Sequence, residues 1–484
     1  MKKLTDILKN TPVREVCGDT AAAIGGPVYD SRAVKPGDCF FAVPGTQSDG
    51  HDYIPIAVEK GAAAIVCERM PADAAEGVAY VLVGDSAGAM ADMAAAFYDY
   101  PSRELKLVGI TGTNGKTTTA TLLYDLVRAM GYKAGLISTV VYKIDGREVE
   151  ATHTTPDSIR LNAMMREMAD AGCAYCFMEC SSHAIVQERT RGLDFAGGIF
   201  SNITHDHLDY HKTFAEYIRA KKLFFDGLPK GAFALTNADD RNGRVMVQNT
   251  AAAVSAYSLR AMADFRCKIV EMHLDGMLLR IDGQELWVGL LGRFNAYNLL
   301  AVYGAAALLG LNRGEVLRVL SMLHAVSGRF EKIRAANGTT AIVDYAHTPD
   351  ALENVIQTIE EIRTPGQQLI VVCGCGGDRD RTKRPEMAAI AVKYATTAVF
   401  TSDNPRHESP EAILDDMVAG LEPGARYLRI ADRAEAIRTA VMLSRPGDII
   451  LVAGKGHETY QIVGDVKHPF DDREEIKKRF ALLN

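Results

Sequence analysis

The chain has 484 residues, of which 48% are hydrophobic and 24% are charged, and its formal net charge at pH 7 is −7. This length predicts about three domains, and the composition is typical of a globular enzyme. The sequence lacks both the basic stripe of a nucleic-acid-binding protein and the run of about 18 apolar residues that crosses a membrane, so we expect no nucleic-acid partner and no membrane insertion.

The N-terminus and the cysteines indicate a cytoplasmic protein. Residues Met1 to Asn10 are polar and lack the apolar segment of a secretory signal peptide. Nine cysteines, an odd number, are scattered along the chain as in proteins of a reducing compartment. Cys173, Cys176 and Cys180 come closest to a metal-binding pattern, but no second Cys or His pair stands at zinc spacing, so we interpret their segment as a buried strand.

The first hundred residues alternate short apolar runs with Ala-rich helical stretches. The apolar runs predict strands at Cys39–Val43, Ala62–Cys67 and Ala79–Val83. Tyr98–Arg103 is typical of a linker, with Pro101 as the helix breaker. The sequence therefore predicts a first domain over residues 1–101.

A second unit begins with an apolar strand at Leu105–Ile110, a glycine-rich loop and a helix from about Lys116 to Met130. Further strands are predicted at Ala134–Ser138, Ala174–Cys180, Gly198–Ser201 and Ala232–Thr236. Strands that alternate with helices favour a mainly parallel sheet, here over residues 102–327.

A second boundary falls near His324–Arg329. Beyond it, strands are predicted at Thr340–Asp344, Gln368–Cys373, Ala398–Ser402 and Asp448–Val452. This pattern favours a doubly wound, Rossmann-like domain over residues 328–484. The predicted fold class is α/β, with three α/β domains in series and a phosphate-binding loop in the central one.

The strongest local signal is the segment Leu107–Thr118, which follows a strand and opens a helix. Gly112 and Gly115 let backbone N–H groups approach phosphate oxygens, and the helix N-terminus adds a positive dipole end. Lys116 would reach the outer phosphates, and the Thr117 hydroxyl would face Mg²⁺. The alternative is a glycine-rich turn without a ligand. The sequence predicts a nucleoside triphosphate site.

The loop, Thr-Gly-Thr-Asn-Gly-Lys-Thr-Thr, resembles that of the Mur ligase family. Further segments resemble the same family in the same order, namely Met178–His183, Asn202–Asp209, Gly292–Asn298, Gly328–Glu331 and Asp344–Pro349. The resemblance runs from about Tyr29 to Glu475. It implies an ATP-dependent ligase that activates a carboxylate as an acyl-phosphate and then joins it to an amine, with ATP and Mg²⁺ as cofactors.

The resemblance also implies the ATP-binding residues, which are Gly112, Thr113, Asn114, Gly115, Lys116, Thr117, Thr118, Asn295, Asn298, Arg329 and Asp344. Asn295 and Asn298 would lie beside the adenine; alternatively, Asn295 is a helix N-cap and Asn298 a buried amide. Arg329 and Asp344 would reach across from the third domain to phosphate and ribose, so the site would assemble by domain closure.

The catalytic residues that the resemblance implies are Lys116, Glu179, His207 and Lys221. One Mg²⁺ would bind Thr117 and Glu179, and a second would bind Glu179, His207 and Lys221. For this, Lys221 would carry a carbamate (N6-carboxylysine), which turns a cation into an oxygen ligand. The alternatives are that Lys221 and Lys222 are solvated helix charges and that His207 is a polar loop residue.

Within the family, Tyr29–Gly45 resembles the uridine-nucleotide domain of members that add the third residue of the peptide stem. The resemblance implies that UDP-MurNAc-L-Ala-D-Glu contacts Ser31, Thr46, Gln47, Thr154, Thr155, Ser181, Gln187 and Arg189. Ser31–Arg32 is alternatively a surface turn. His153 stands where relatives often have asparagine.

The incoming amino acid would contact Arg379, Asp403, Asn404, Arg406, Gly454 and Glu458. The segment Asp403–Arg406 resembles the motif of members that add meso-diaminopimelate, since Arg406 can pair with the distal carboxylate in a bidentate manner. L-Lysine as the added residue is the first alternative. A folylpolyglutamate-synthase-type ligase and a nucleotide-dependent switch are the others. We expect small-molecule substrates and a monomer.

Overall fold

The computed structural model describes residues 1–45, 48–204, 206 and 208–483, with Leu208 and Asp209 described by their backbone alone. In chain order, the described residues form sheets of five, eleven and six strands, together with two two-stranded ribbons. Within this part of the chain, no helix combines the length and apolar character needed to cross a membrane.

The first sheet lies within residues 13–83. The elements of this region are β1 Lys2–Lys3, α1 Leu4–Ile7, β2 Val13–Cys17, β3 Ala23–Ile24, β4 Pro27–Val28, β5 Cys39–Phe41, α2 Ile54–Glu59, β6 Ala64–Cys67, β7 Ala79–Val83 and α3 Ser86–Phe97. The strand order is β2-β7-β6-β5-β4, parallel except for β2. The predicted strand at residues 79–83 has the observed bounds, and the predicted linker is a short 3₁₀ helix at Pro101–Glu104.

The second sheet carries the phosphate-binding loop. Its strands are β8 Lys106–Thr111, β9 Ala134–Ile137, β10 Val141–Ile144, β11 Arg147–Glu150, β12 Tyr175–Glu179, β13 Gly197–Phe200, β14 Phe233–Asn237, β15 Ala253–Ser258, β16 Phe265–His273, β17 Gly276–Ile281 and β18 Gln284–Val288. The helices are α4 Lys116–Ala129, α5 Ser158–Asp170, α6 Ser182–Val186, α7 Leu208–His211, α8 Phe214–Asp226, α9 Gly243–Met246, α10 Arg293–Leu308 and α11 Arg313–Leu320. The strand order is β11-β10-β9-β12-β8-β13-β14-β15-β16-β17-β18.

The predicted parallel sheet is confirmed over β8, β9 and β12 to β16, but the structure adds antiparallel strands at both ends. Two of their turns are Asp-Gly pairs with positive φ, at Asp145–Gly146 and Asp282–Gly283. Such pairs form the tight turns that join antiparallel strands, so the sequence carried a hairpin signal that our interpretation missed.

The third sheet belongs to the C-terminal region. Its elements are β19 Glu331–Arg334, β20 Thr340–Asp344, α12 Pro349–Ile362, β21 Leu369–Cys373, α13 Lys383–Tyr394, β22 Thr397–Phe400, α14 Pro410–Val418, β23 Tyr427–Arg429, α15 Arg433–Leu443, β24 Ile449–Ala453, β25 Tyr460–Val463, β26 Val466–Pro469 and α16 Asp472–Phe480. The order is β19-β20-β24-β21-β22-β23, parallel except for β19, and β25 and β26 form a hairpin. This is the predicted doubly wound arrangement, although the domain boundaries themselves stay predictions.

Short polar side chains fix where the helices begin. Asp157 accepts from the Arg160 N–H before α5, Thr213 from the Glu216 N–H before α8, and Thr348 from the Ala351 N–H before α12. Each cap satisfies an amide that has no acceptor within its helix. As a result, each of these caps fixes the residue at which the preceding loop ends and the helix begins.

The second and third sheets share an apolar core. One buried cluster runs from Val108 and Leu299 in the central sheet and α10 to Ile356 and Leu451 in the third domain. The ring centroids of Phe294 and Phe330 lie 5.9 Å apart at the junction. The two domains therefore meet through packed side chains, with the carboxyl ends of β8, β12 and β20 on the same side of the junction.

A fully buried ion pair anchors the last two helices. Arg433 donates to both carboxylate oxygens of Asp472, at 2.7 and 2.8 Å, and to the Ala453 carbonyl at 3.1 Å. Both side chains are inaccessible to solvent. A buried pair of this kind becomes strongly destabilising when one partner loses its charge.

We expect Asp472→Asn to lower the free energy of unfolding by about 3–5 kcal/mol, because the buried Arg433 guanidinium loses its counter-charge. Urea unfolding monitored by circular dichroism measures the change. Glu474→Gln, the same kind of substitution on an exposed residue of α16, is the matched control and should leave the midpoint unchanged. Equal midpoints for the two variants would contradict the prediction.

Candidate active site

A cavity of about 930 Å³ lies where the central sheet meets the third domain. Its walls include the phosphate-binding loop, the end of β12 at Glu179, and the segment after β20. In open α/β sheets, ligands bind at the carboxyl ends of the strands, where such loops converge. The cavity is therefore the candidate active site.

The phosphate-binding loop has a backbone that glycine alone can form without strain. Gly112 has a φ of 153° and Gly115 a φ of 86°. A Cβ at Gly112 would lie 1.9 Å from the Ser201 hydroxyl oxygen, and one at Gly115 would lie 2.5 Å from Asn298 Oδ1. Helix α4 begins directly after the loop, so its first N–H groups have no acceptor within the helix. This is a cradle for phosphate oxygens.

Two lysines converge on one backbone carbonyl of this loop. The Lys116 and Lys221 ammonium groups donate to the Gly112 carbonyl at 3.0 and 2.9 Å, and Lys116 also donates to the Thr113 carbonyl at 2.8 Å. Burial lowers the pKa of Lys116; burial and the neighbouring Lys116 lower that of Lys221 well below its ordinary value. Lys221 is 1% exposed, so the interpretation as a solvated charge is wrong for it.

Oxygen donors of the type that Mg²⁺ prefers line the same cavity. Glu179 is fully buried at the end of β12, and Thr139 holds both of its oxygens through its N–H at 2.7 Å and its hydroxyl at 3.2 Å. The Thr117 hydroxyl accepts from Arg329 Nη2 at 3.2 Å. These groups fit a hard cation, and a carbamate on Lys221 would add two oxygens. His207 lies outside the described residues.

The two asparagines of α10 have different positions. Asn298 lines the cavity. Asn295 donates to the Leu291 carbonyl at 2.7 Å and accepts from Asn298 Nδ2 at 3.1 Å, so it orients its neighbour. The alternative of an N-cap at Asn295 is wrong, because Gly292 occupies that position.

Arg329 and Asp344 lie at the domain junction, as the sequence predicts. Arg329 stacks on Tyr345 at 4.6 Å from the ring centroid and reaches Thr117 in the central domain. The Asp344 carboxylate accepts the N–H groups of Phe330 at 2.7 Å and Ala346 at 2.8 Å. Burial raises the pKa of Asp344. Asp344 thus fixes the segment that carries Arg329 across the junction.

The structure reveals a second contact across the junction that our interpretation missed. Asp350, at the start of α12, accepts from Asn114 Nδ2 at 2.9 Å and from the Thr204 hydroxyl at 3.3 Å. These bonds join the third domain to the phosphate-binding loop. An acidic residue in a first helical turn is also expected for helix-dipole reasons alone, so the sequence signal was not specific.

The residues predicted for the dipeptide substrate form one wall of the cavity, which includes Thr154, Thr155, Ser181, Gln187 and Arg189. Arg189 donates to the Thr155 carbonyl and to Gln187 Oε1, both at 2.7 Å. Ser181 caps α6 through the Ala184 N–H. The wall is held rigid by its own hydrogen bonds, and it faces the cavity with a guanidinium that can bind a carboxylate.

The residues predicted for the uridine end are only partly described. Ser31 is buried beside the turn formed by Asp30 and Arg32, and it does not line the cavity. Thr46 and Gln47 lie outside the described residues. Of these three residues the structure describes Ser31 alone, and it does not bring Ser31 to the cavity.

The predicted amino-acid residues lie at the third-domain end. Arg379 and Glu458 line the cavity, whereas Asp403, Asn404, Arg406 and Gly454 are not among the lining residues, and Asn404 joins this group to Glu458 by a hydrogen bond. Asp403 Oδ2 is buried and has no hydrogen-bond partner among the described residues. A Cβ at Gly454 would approach that oxygen to 2.4 Å. A buried carboxylate oxygen with an open approach is suited to an ammonium group.

Glu458 and Arg406 are held by other parts of this region. Glu458 Oε2 accepts from Asn404 Nδ2 at 2.8 Å and from Lys455 at 3.0 Å. Arg406 has a left-handed backbone, with φ of 51°, and its Nη1 donates to the Gly377 carbonyl at 2.8 Å. Since Lys455 already neutralises Glu458, Asp403 is the better partner for an incoming cation.

The phosphate-binding loop opens into a cleft that a second α/β domain also lines. This arrangement defines the class of the protein, which is that of enzymes that use a nucleoside triphosphate. Within that class, this chain belongs to the Mur ligase family. Three family descriptions match it: the Mur ligase middle domain over residues 110–306, the Mur ligase glutamate ligase domain over 328–456, and the Mur ligase family catalytic domain over 24–98.

Similar proteins are found over the whole length. The UDP-N-acetylmuramoyl-L-alanyl-D-glutamate–2,6-diaminopimelate ligases of Phocaeicola vulgatus and Bacteroides fragilis are each 55% identical to this chain, with 99% of both chains covered. A solved structure of a ligase of the same name is 30% identical, covers 100% of this chain and 99% of its own, and has a TM-score of 0.71.

We expect Gly115→Ala to weaken ATP binding at least tenfold, that is, by about 1.4 kcal/mol or more. The added methyl group would clash with Asn298 Oδ1 in addition to straining the loop. Titration calorimetry with ATP measures the loss. Gly131→Ala, with a similar φ of 89° and nothing near its Cβ, is the matched control. A Gly115→Ala protein that binds ATP as tightly as the control would contradict this account of the loop.

Proposed function

We infer that this protein is an ATP-dependent ligase that adds meso-diaminopimelate to the D-glutamate carboxylate of UDP-MurNAc-L-Ala-D-Glu, a step of peptidoglycan precursor synthesis. Relatives 55% identical over 99% of the chain carry the name of this activity. The structural observation that carries the inference is one cavity lined by the phosphate-binding loop, by Arg189 and by Arg379. A nucleotide, a carboxylate and an amino acid can meet there.

A carboxylate does not react with an amine until it is activated. Transfer of the γ-phosphoryl group of ATP to the D-glutamate carboxylate gives an acyl-phosphate and ADP. The diaminopimelate amine then attacks the acyl carbon, phosphate leaves with the C–O bond electrons, and the amine loses a proton. The developing charge lies on phosphate oxygens, so catalysis depends on cations placed in advance.

In this scheme Lys116 and the N–H groups at the start of α4 bind the outer phosphates. Arg189 orients the acceptor carboxylate, because Thr155 and Gln187 fix its guanidinium from behind. Arg329 contributes a further positive charge from the third domain. These contacts require both domains to be in place, which also excludes water from a hydrolysable intermediate.

We further propose that Thr117, Glu179, His207 and carbamylated Lys221 hold Mg²⁺, which when bound neutralises phosphate charge and brings the carboxylate and phosphoryl group together. The burial of Lys221 supports the carbamate. Burial and the neighbouring Lys116 lower the pKa of this amine, which favours its neutral form, and a neutral amine can add to CO₂ with loss of a proton. The product is an anion beside Lys116, so the two groups attract each other.

For the amino acid, Asp403 binds the distal ammonium group through its unpartnered Oδ2, and Arg406 binds the distal carboxylate. Glu458 and Asn404 complete this pocket with Gly454, where the missing side chain leaves the approach to Asp403 open. L-Lysine has no distal carboxylate and would leave Arg406 with unsatisfied donors. L-Lysine as the added residue is therefore not needed to account for this pocket. A folylpolyglutamate-synthase-type ligase and a nucleotide-dependent switch are not needed to account for the site either.

We propose a monomer as the active form. We propose that the protein works in the cytoplasm, where ATP and nucleotide-linked precursors are available.

Phosphate release tests the proposed function, with ATP, Mg²⁺ and UDP-MurNAc-L-Ala-D-Glu present and either meso-diaminopimelate or L-lysine added. We expect release with diaminopimelate and little with lysine, because Arg406 then finds its carboxylate partner. Release with lysine alone would keep the ligase and remove the assignment of Arg406. Release with neither, from folded protein that binds ATP, would remove the proposed function.

We expect Lys221→Ala to lower the rate of phosphate release at least about 100-fold, because the carbamate oxygens are lost. Short carboxylic acids such as formate should restore part of the rate by supplying the missing oxygens. Lys222→Ala is the matched control on the neighbouring position and should keep the normal rate. Normal turnover in Lys221→Ala would show that no carbamate is needed there.

A further inference from the structure

Two loops of the third domain carry the arginines of the amino-acid pocket. The loop after β21, residues 374–382, carries Arg379, and the loop after β22, residues 401–409, carries Arg406. The two loops touch through their backbones: Gly377 N–H donates to the Asn404 carbonyl at 2.9 Å, and a Cβ at Gly377 would lie 1.9 Å from the Pro405 carbonyl oxygen. The backbone that carries Arg406 is therefore packed directly against the first loop.

Both loops contain a non-glycine residue in the left-handed region, Asp378 with φ of 54° and Arg406 with φ of 51°. Backbones of this kind persist only where surrounding contacts hold them. The Asp378 N–H donates to Glu408 Oε1 at 2.6 Å, and the Arg406 N–H donates to the Ile462 carbonyl at 3.1 Å. Glu408 thus ties one loop to the other.

Glu408 is itself held by a buried arginine of α13. The Arg384 side chain is 0% exposed and donates to both Glu408 oxygens, at 2.8 and 2.9 Å, to Asp416 Oδ2 at 2.7 Å and to the Gly376 carbonyl at 3.3 Å. The same guanidinium therefore binds the first loop directly and the second loop through Glu408. Arg384 also lowers the pKa of Glu408 to about 2, so this carboxylate is charged at every working pH.

Gly376 lies between the two arginines of the pocket. A Cβ at this position would be 3.0 Å from Arg406 Nη1 and 3.8 Å from Arg379 Cγ. Because Arg384 holds the Gly376 carbonyl, it fixes the backbone against which both side chains rest. Its side chain is fully buried, so it acts through other residues and not by touching the substrate.

We propose that Arg384 is a positioning residue that sets the spacing of Arg379 and Arg406 and thereby the selectivity for an amino acid with a distal carboxylate. The proposal rests on the proposed function. Bidentate binding of a carboxylate depends on the placement of the guanidinium to within a fraction of an ångström. Loss of the contacts that Arg384 makes with Glu408 and the Gly376 carbonyl would therefore weaken binding of the distal carboxylate first. ATP and the dipeptide substrate bind to other walls of the cavity and should be affected much less.

The test compares Arg384→Lys with Arg381→Met in steady-state phosphate release. Lysine keeps the charge of Arg384 but cannot bridge Glu408, Asp416 and Gly376 together. Arg381 pairs with the same two carboxylates, at 3.4 and 3.1 Å, but its side chain is 63% exposed, so it is the matched control. KM is measured separately for diaminopimelate, ATP and UDP-MurNAc-L-Ala-D-Glu, and Tm is recorded for each protein.

We expect Arg384→Lys to raise KM for diaminopimelate at least about tenfold and to reduce the preference over lysine, with the other two KM values within about twofold. Arg381→Met should match the wild type in the three KM values and in the preference for diaminopimelate over lysine. An unchanged KM for diaminopimelate in Arg384→Lys would overturn the proposal. So would equal losses for all three substrates, since these would indicate a purely structural role.

If Arg384→Lys does not fold, the same KM values are measured for Glu408→Gln. The amide oxygen of glutamine can still accept from the Asp378 N–H, but the side chain lacks the charge that Arg384 binds. A wild-type protein that releases no phosphate with diaminopimelate is a different result. It would remove the proposed function, and this inference with it, whereas an active wild type with an insensitive Arg384→Lys would remove the inference alone.

Discussion

The Gly112 carbonyl accepts hydrogen bonds from two lysines, the half-buried Lys116 at 3.0 Å and the buried Lys221 at 2.9 Å. Two like charges at one acceptor in a buried site are unfavourable unless one amine is neutral or an anion arrives. A triphosphate supplies such an anion, and a carbamate on Lys221 would supply another. The electrostatics of the cavity thus favour binding of the negatively charged groups that the proposed reaction must bring together.

That arrangement depends on the third domain. Arg329 reaches Thr117, and Asp350 accepts from Asn114 and Thr204, so the phosphate-binding loop is held from both sides of the junction. The apolar core continues beneath these polar contacts. Closure of the cleft is consequently linked to the same residues that approach the nucleotide, and an open form would lose part of its catalytic charge together with its protection from water.

Buried arginines give the third domain its rigidity. Arg433 joins the ends of β22 and β24 to α16, and Arg384 joins the two loops that carry the pocket. Each is fully buried and paired with carboxylates. A buried charge is costly unless its partners are fixed, so these pairs specify one arrangement of the surrounding loops. The amino-acid pocket is built on that arrangement.

The sequence by itself determined the family, the three α/β regions, and the strand–loop–helix unit around Gly112 and Lys116, because these follow from local spacing of glycine, lysine and apolar residues. It also carried hairpin signals at Asp145–Gly146 and Asp282–Gly283, which our interpretation missed. Only the tertiary structure decided that Lys221 is buried against Gly112 and that Arg384 supports the pocket. Arg384 looks, in the sequence, like any charged residue near the start of a helix. Burial and pairing across 24 to 109 residues depend on how sheets and domains pack, and no local pattern encodes that packing.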